Sequence, residues 1–275
     1  VPQEPTNGRT AILCVLLPLL VFGGCRDDEP PAAPVAASNS LLEAAARDLL
    51  GDGVPILRLA EPGMCPGHFD IRPSQVRQLR SCRVLLRMSS QDSLDAKLGR
   101  ATDDGLRIAP VRVSGGLCVP ATYLDACRQT ADALVRAGLL DRASADARLE
   151  EIAARMERLT GRCRERAARL NGVSVLASAH QQPFCTWLGL RVVGTFRGAD
   201  TEGSAALPYE RGKAAGVRLV VANRPEGRRA ADFLAGKLGA DVVVLGNFPA
   251  LDAGQERFDD LVEQNLDRLL ETAAP

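Results

Sequence analysis

The sequence predicts an α/β protein of two lobes, each a mainly parallel sheet flanked by helices, joined by one long spine helix. Three observations carry that expectation. Short aliphatic and β-branched runs alternate with segments of helical periodicity, the signature of strand–helix–strand units. Most of these runs are apolar nearly throughout, as in sheets covered on both faces. The alternation occurs twice, on either side of a single stripe of small and apolar residues over 143–170.

In the first half, "VPILRL" (54–59), "RVLLRM" (83–88) and "LRIAPVRV" (106–113) read as strands. In the second half, "VSVLAS" (173–178), "LRVVGTF" (190–196), "VRLVVA" (217–222) and "DVVVLG" (241–246) do the same. Helices are expected over 40–50, 73–81, 120–138, 226–238 and 256–272. The fourth of these has a cap at Asn223 and a stop at Gly239. Between the halves, Ala145, Leu149, Ile152, Met156, Leu159, Cys163, Ala167 and Leu170 recur at steps of three and four, one face of a helix. At 1.5 Å per residue that helix reaches about 40 Å, more than one small lobe needs. A break at Gly161 into two helices is the alternative. The expected organisation is an N-terminal lobe over 40–141, a linking helix over 142–171 and a C-terminal lobe over 172–275.

The segment before residue 40 reads differently. "AILCVLLPLLVF" (11–22) follows Arg9 and is shorter than the roughly 20 residues of a membrane span. It fits the apolar core of a signal peptide over 1–25. The following "GGC" resembles a bacterial lipobox, which makes Cys25 the expected lipidation site. The polar, Pro-rich 26–39 then reads as a tether. The expected location is exported, periplasmic or on the outer face of the cell membrane, held by a lipid anchor.

Composition narrows the function. Lys+Arg and Asp+Glu balance at 34 each, so the basic footprint of a nucleic-acid binder is missing. Aromatic residues are 4%, too few for a base-stacking platform. No phosphate-binding loop, dinucleotide fingerprint or serine-hydrolase elbow is present, and no enzymatic activity is expected.

Eight cysteines in an exported chain first suggest disulfides. Cys14 falls in the leader. Cys82 and Cys127 read as core positions or halves of a disulfide, and Cys163, on the helical stripe, as a buried apolar residue rather than a ligand. The polar chemistry concentrates in three segments that each follow an expected strand: "EPGMCPGHFD" (61–70), "SGGLCVP" (114–120) and "AHQQPFC" (179–185). Ligands of parallel α/β sheets bind beyond the carboxyl ends of the strands. Cys65, His68, Cys118, His180 and Cys185 are therefore candidate metal ligands, and they include both histidines of the chain. Imidazole and thiolate together suit zinc, with copper(I) or ferrous iron as alternatives. Cys65 and Cys118 could instead form a disulfide, and Cys185 could pack in the first turn of a helix after His180.

The order of parts resembles the metal-binding solute-binding proteins of bacterial zinc/manganese ABC transporters over about 40–272. "PGMCPGHFDIRPSQV" is similar to that family's first metal-binding segment, "VPATYLDA" to the helix start that carries its second ligand, and "HQQPFCTWLGL" to its third. The resemblance implies one metal held in a cleft between two lobes and passed to an ABC permease. It places the family's first histidine on Gly67, its second on Ala121 and its third on His180. Asn223 and Asn247 stand where its carboxylate ligand is usual. The neighbouring cysteines read as replacements. The alternatives are an exported thiol-redox or metallochaperone protein on the same fold, or a relative that kept the fold and lost the metal.

Overall fold

A computed structural model describes residues 1–3, 33–61, 71–103, 105–198, 205–250, 254, 255 and 257–273, without the side chains of 99–103. The chain divides into two units, Val1–Pro31 and Ala32–Pro275, and every element below belongs to the second. Residues 4–25 of the expected leader, with Cys14 and Cys25, and the loop residues Cys65 and His68 lie outside the described residues. No helix among the described residues is long and apolar enough to cross a membrane.

Two four-stranded sheets carry the fold. The first contains β1 (Val35–Ala37), β2 (Ile56–Arg58), β3 (Val84–Met88) and β4 (Arg107–Val111), in the order β2-β1-β3-β4. The second contains β5 (Ser174–Ser178), β6 (Arg191–Phe196), β7 (Leu219–Asn223) and β8 (Asp241–Leu245), in the order β6-β5-β7-β8. Every pairing is parallel, and the two topologies are the same. The expected two-sheet α/β fold is what the structure has.

One strand corrects the sequence reading. Residues 35–37, assigned above to the tether, form β1, a central strand that pairs with both β2 and β3. Three residues are too few to show a period, and Pro34 and Ser38 bracket them with turn chemistry. The first lobe thus begins before residue 40. Asn39 then caps α1 (Ser40–Leu50), its Oδ1 accepting from the N–H groups of Leu41 and Leu42 at 3.1 Å each.

The helices of the first lobe are α1, α2 (Pro73–Leu79), α3 (Ser93–Asp103) and α4 (Pro120–Arg136). The spine α5 runs over Arg142–Arg166 and continues as a 3-10 turn to Leu170. It passes through Gly161 without a break, and its Asp141 cap accepts from Ser144 N–H at 2.9 Å. In the second lobe come α6 (Gln182–Trp187), α7 (Ala206–Ala214), α8 (Arg229–Leu238) and α9 (Phe258–Thr272). The Gly239 stop for α8 holds, with φ 63° in the left-handed region. The Asn223 cap does not. A 3-10 turn over 224–226 intervenes, and the Asn223 side chain makes no capping bond.

Strand alternation divides the core. Val84, Leu86 and Met88 face one cluster and Leu85 another, and the same division places Val175 and Ala177 opposite Leu176. The outer face of each sheet has its own cluster. The inner faces share one continuous core with the spine, through Ile152, Met156, Leu159 and Cys163, and with Leu266 and Leu269 of α9. An arginine ladder zips α9 to the spine: Arg162 meets Glu263 at 2.8 Å, Arg166 meets Asp267, and Arg169 donates to the Leu270 carbonyl at 2.8 Å.

A core common to both lobes predicts one cooperative unfolding transition. Leu159→Ala should lower stability by about 2–5 kcal/mol without splitting that transition. Urea unfolding followed by fluorescence of the lone Trp187 and by far-ultraviolet dichroism checks it. Non-coincident curves would show the lobes to be independent.

Candidate interlobe site

In a parallel sheet the strand order reverses at one point, and the loops leaving the strands there open a crevice. In the second sheet that point lies between β5 and β7. His180 and Gln181 leave β5 there, and Asn223 and Glu226 leave β7. In the first sheet it lies between β1 and β3, where Ser38 Oγ donates to Gln91 Oε1 at 2.6 Å.

The deepest part is a buried network without formal charge. The Gly246 carbonyl after β8 is its node. It accepts from Gln181 Nε2 at 3.2 Å, Asn265 Nδ2 at 2.9 Å and the Cys118 thiol at 3.0 Å. Gln181 Nε2 also reaches Asn223 Oδ1 at 3.1 Å and Asn247 Oδ1 at 2.7 Å. Asn265 Oδ1 accepts from Gly246 N–H at 3.0 Å, and its Nδ2 lies 3.4 Å from Cys118 Sγ. Cys118 belongs to the first lobe, so its thiol is a direct tie between the lobes. Close packing reinforces it: a Cβ added to Gly116 would sit 2.8 Å from the Pro183 Cβ. One acceptor, Gln181 Oε1, is buried without a partner.

The rim differs in charge and exposure. Ser178 Oγ donates to Glu226 Oε2 at 2.5 Å, and Glu226 Oε1 accepts from Gly198 N–H at 3.2 Å. The same Oε1 lies 3.8 Å from His180 Nε2, and the His180 side chain is 58% exposed. The imidazole presents nitrogen toward solvent, and the largely buried Glu226 carboxylate stands behind it.

Of the five candidate ligands, the structure describes three. Cys118 and Cys185 are buried, and His180 stands at the rim. Cys185 lies within α6 in the shared core. Among the described residues no group of three or more His, Cys, Asp or Glu is placed to hold a metal ion. Cys82, Cys118, Cys127, Cys163 and Cys185 are free thiols, so Cys118 is in no disulfide. Sequence reasoning missed Gln181, Asn265 and Glu226. Glu226 had a signal, because "NRPEG" places a carboxylate just past a strand end. Gln181 and Asn265 had none, since a buried amide resembles a surface one in sequence.

Comparison with known proteins bears on the fold. No protein-family profile and no curated relative matches the chain. Among solved structures it is similar to a zinc-bound deletion mutant of ZnuA, at 14% identity and a TM-score of 0.73 over 89% of this chain and 100% of that one. It is also similar to the manganese-bound periplasmic metal-binding protein of Candidatus Liberibacter asiaticus, at 12% identity and a TM-score of 0.72 over 86% and 98%. The cadmium-bound form of that protein matches at 11% identity over the same shares, with a TM-score of 0.72. The chain therefore has the two-lobed α/β fold of the periplasmic metal-binding proteins.

Burial pushes the Cys185 thiol up to about 12 from an ordinary value near 9. Burial also pushes Cys118 and Cys127 well up, against the weaker opposing bonds from Asn265 and Tyr123 respectively. A thiol whose folded pKa is raised gives its full contribution below about pH 9 and loses it as pH rises toward the folded value. Stability should therefore fall above about pH 9, by up to about 1.4 kcal/mol per thiol per pH unit. Urea unfolding with a phosphine reductant, from neutral pH to about pH 10, checks this. A Cys185→Ala variant should show a shallower decline.

Proposed function

We propose that the chain is an exported receptor for a transition-metal ion, zinc first among them, which it delivers to an ABC permease. The observation that carries this reading is the His180–Glu226 pair at the switch point of the second sheet, in a fold whose solved examples carry zinc, manganese or cadmium. Zinc takes imidazole nitrogen, carboxylate oxygen and thiolate sulfur in one tetrahedral shell. His180 and Glu226 supply two of these donors. Cys65 and His68, on the segment after β2, are the first-lobe donors of the proposed set. Cys118 and Cys185 would join only by losing protons that burial holds tightly. Each of these ligands competes with protons, so affinity falls as pH drops.

On this reading residues 1–25 are the leader, Cys25 is lipidated, and the segment from 26 to the start of β1 tethers the receptor to the membrane. The lobes are those described, bridged by α5. The protein performs no catalysis. The thiol-redox alternative needs a reachable thiolate, whereas the described thiols are buried and free of one another.

The buried amide node supports a second reading. Gln181, Asn223, Asn247 and Asn265 place neutral groups where a buried dication needs compensating charge. A relative that kept the fold and gave up the metal would have this interior.

Metal analysis of protein purified under reducing conditions separates the two. The receptor reading expects zinc bound to the wild-type chain, strongly reduced by His180→Ala and by Glu226→Gln, and reduced by Cys65→Ser. Absence of bound metal after reconstitution with zinc, copper(I) or ferrous iron favours the second reading. Metal content unchanged in His180→Ala and Glu226→Gln overturns the proposed site.

A further inference from the structure

A cavity of about 630 Å³ lies away from the interlobe node, between the end of α1, the first half of α5 and the start of α9. That volume falls within the roughly 300–1,000 Å³ usual for small-molecule sites. Five guanidinium groups line it, from Arg47, Arg148, Arg155, Arg158 and Arg257, against three carboxylates, from Asp48, Asp52 and Glu151. No residue of the amide node or of the His180–Glu226 rim is among the lining.

The charges are not spent equally. Asp48 is consumed: it accepts from both terminal nitrogens of Arg155 and, at 2.6 Å, from the Tyr123 hydroxyl. Arg155 also meets Asp259 at 3.1 Å, so this cation is fixed in the floor of the cavity. Arg47 is held by Glu43 at 2.8 Å. Arg148 makes only an exposed pair with Glu151, a contact of little worth in water. The guanidinium groups of Arg158 and Arg257 make no ion pair or hydrogen bond with any described residue, although the Arg257 backbone N–H donates to Asp260 Oδ2 at 2.8 Å. One comes from the spine and the other from the lead-in to α9, and both face one concave space. Asp52 and Glu151 oppose them within the lining, while Glu43 and Asp259 offset Arg47 and Arg155 from behind it, so the uncommitted positive charge is confined to the Arg158 and Arg257 side.

Guanidinium is a planar fork that binds carboxylate and phosphate oxygens in pairs. A concave wall with two uncommitted forks and a third weakly held one concentrates the potential of all three. We propose that this cavity binds a small multivalent oxyanion, a polycarboxylate or a phosphate, with Arg158 and Arg257 as principal contacts and Arg148 as a third. Its walls come from the first lobe, the spine and the second lobe, so a bound anion braces the joint between them.

The test uses the full chain, freed of metal, so that it does not depend on the metal site. Citrate and inorganic phosphate are titrated by calorimetry and by thermal unfolding, with sodium chloride at matched ionic strength as control. Saturable binding and a rise in Tm with citrate or phosphate, absent with chloride, are expected. Arg158→Gln and Arg257→Gln should each weaken binding by about tenfold or more. Both side chains are exposed, so neither change should disturb folding, and far-ultraviolet dichroism verifies that. Arg228→Gln, a surface pair with Asp232 on α8, should leave binding unchanged. No saturable binding of either anion, or binding that survives in both Arg158→Gln and Arg257→Gln, overturns the proposal. Binding of only one of the two anions identifies which oxyanion class the cavity takes.

Discussion

The arrangement of the two lobes depends on one ionic junction. Asp48 from the first lobe, Arg155 from the spine and Asp259 from the second lobe meet with side chains between 12% and 20% exposed. Tyr123 donates to Asp48, and its ring stacks on Phe258 with centroids 4.0 Å apart and planes within 1°. Burial and the Asp48 charge both push the Asp259 carboxyl up, and Arg155 opposes them. Burial alone would lower the Arg155 guanidinium, but the bonds and charge of Asp48, with Asp259, raise it on balance. Removing one member of such a group leaves a buried charge uncompensated, a loss on the order of 3–5 kcal/mol. A buried ionic group is weak evidence for stability, and what the junction supplies is a contact point shared by three elements, α1, α5 and α9.

Two ties then act at different places. The ionic junction joins both lobes to the spine. The Cys118 thiol reaches across to the Gly246 carbonyl and joins the lobes directly. With the shared core between them, they leave no hinge of loosely packed loops among the described elements.

The interlobe region divides by electrostatics. Its depth is amide and thiol, a network that carries no formal charge and is satisfied apart from the Gln181 Oε1 acceptor. Its rim carries an imidazole open to solvent beside a largely buried carboxylate. A cation gains from the second and pays heavily for the first. The proposed metal site is therefore placed at the rim rather than in the depth. The neutral interior sets the register in which His180 and Glu226 are presented, since Gln181 follows His180 directly and bonds to Asn223.

What the sequence determined was periodicity. Near-continuous apolar strands, seven of the eight, placed two parallel sheets, and the 145–170 stripe placed the spine, with Leu149 half-buried and the other stripe positions buried. Those signals are local, because strand and helix spacing repeats within a few residues. It also placed the polar chemistry at strand ends, where His180 stands. The sequence did not disclose β1, three residues whose only evidence is the two strands that flank it. Nor did it show that Cys118 and Cys185 are buried, because a thiol's burial and protonation depend on what surrounds it. Asn265, Gln181 and Glu226 acquire their roles from groups 19 to 147 residues away, among them Gly246, Asn223, Ser178 and Cys118. Folding of the second lobe brings the first three of these groups within hydrogen-bonding distance, and only the Cys118 contact needs the two halves packed together, so their meaning is tertiary.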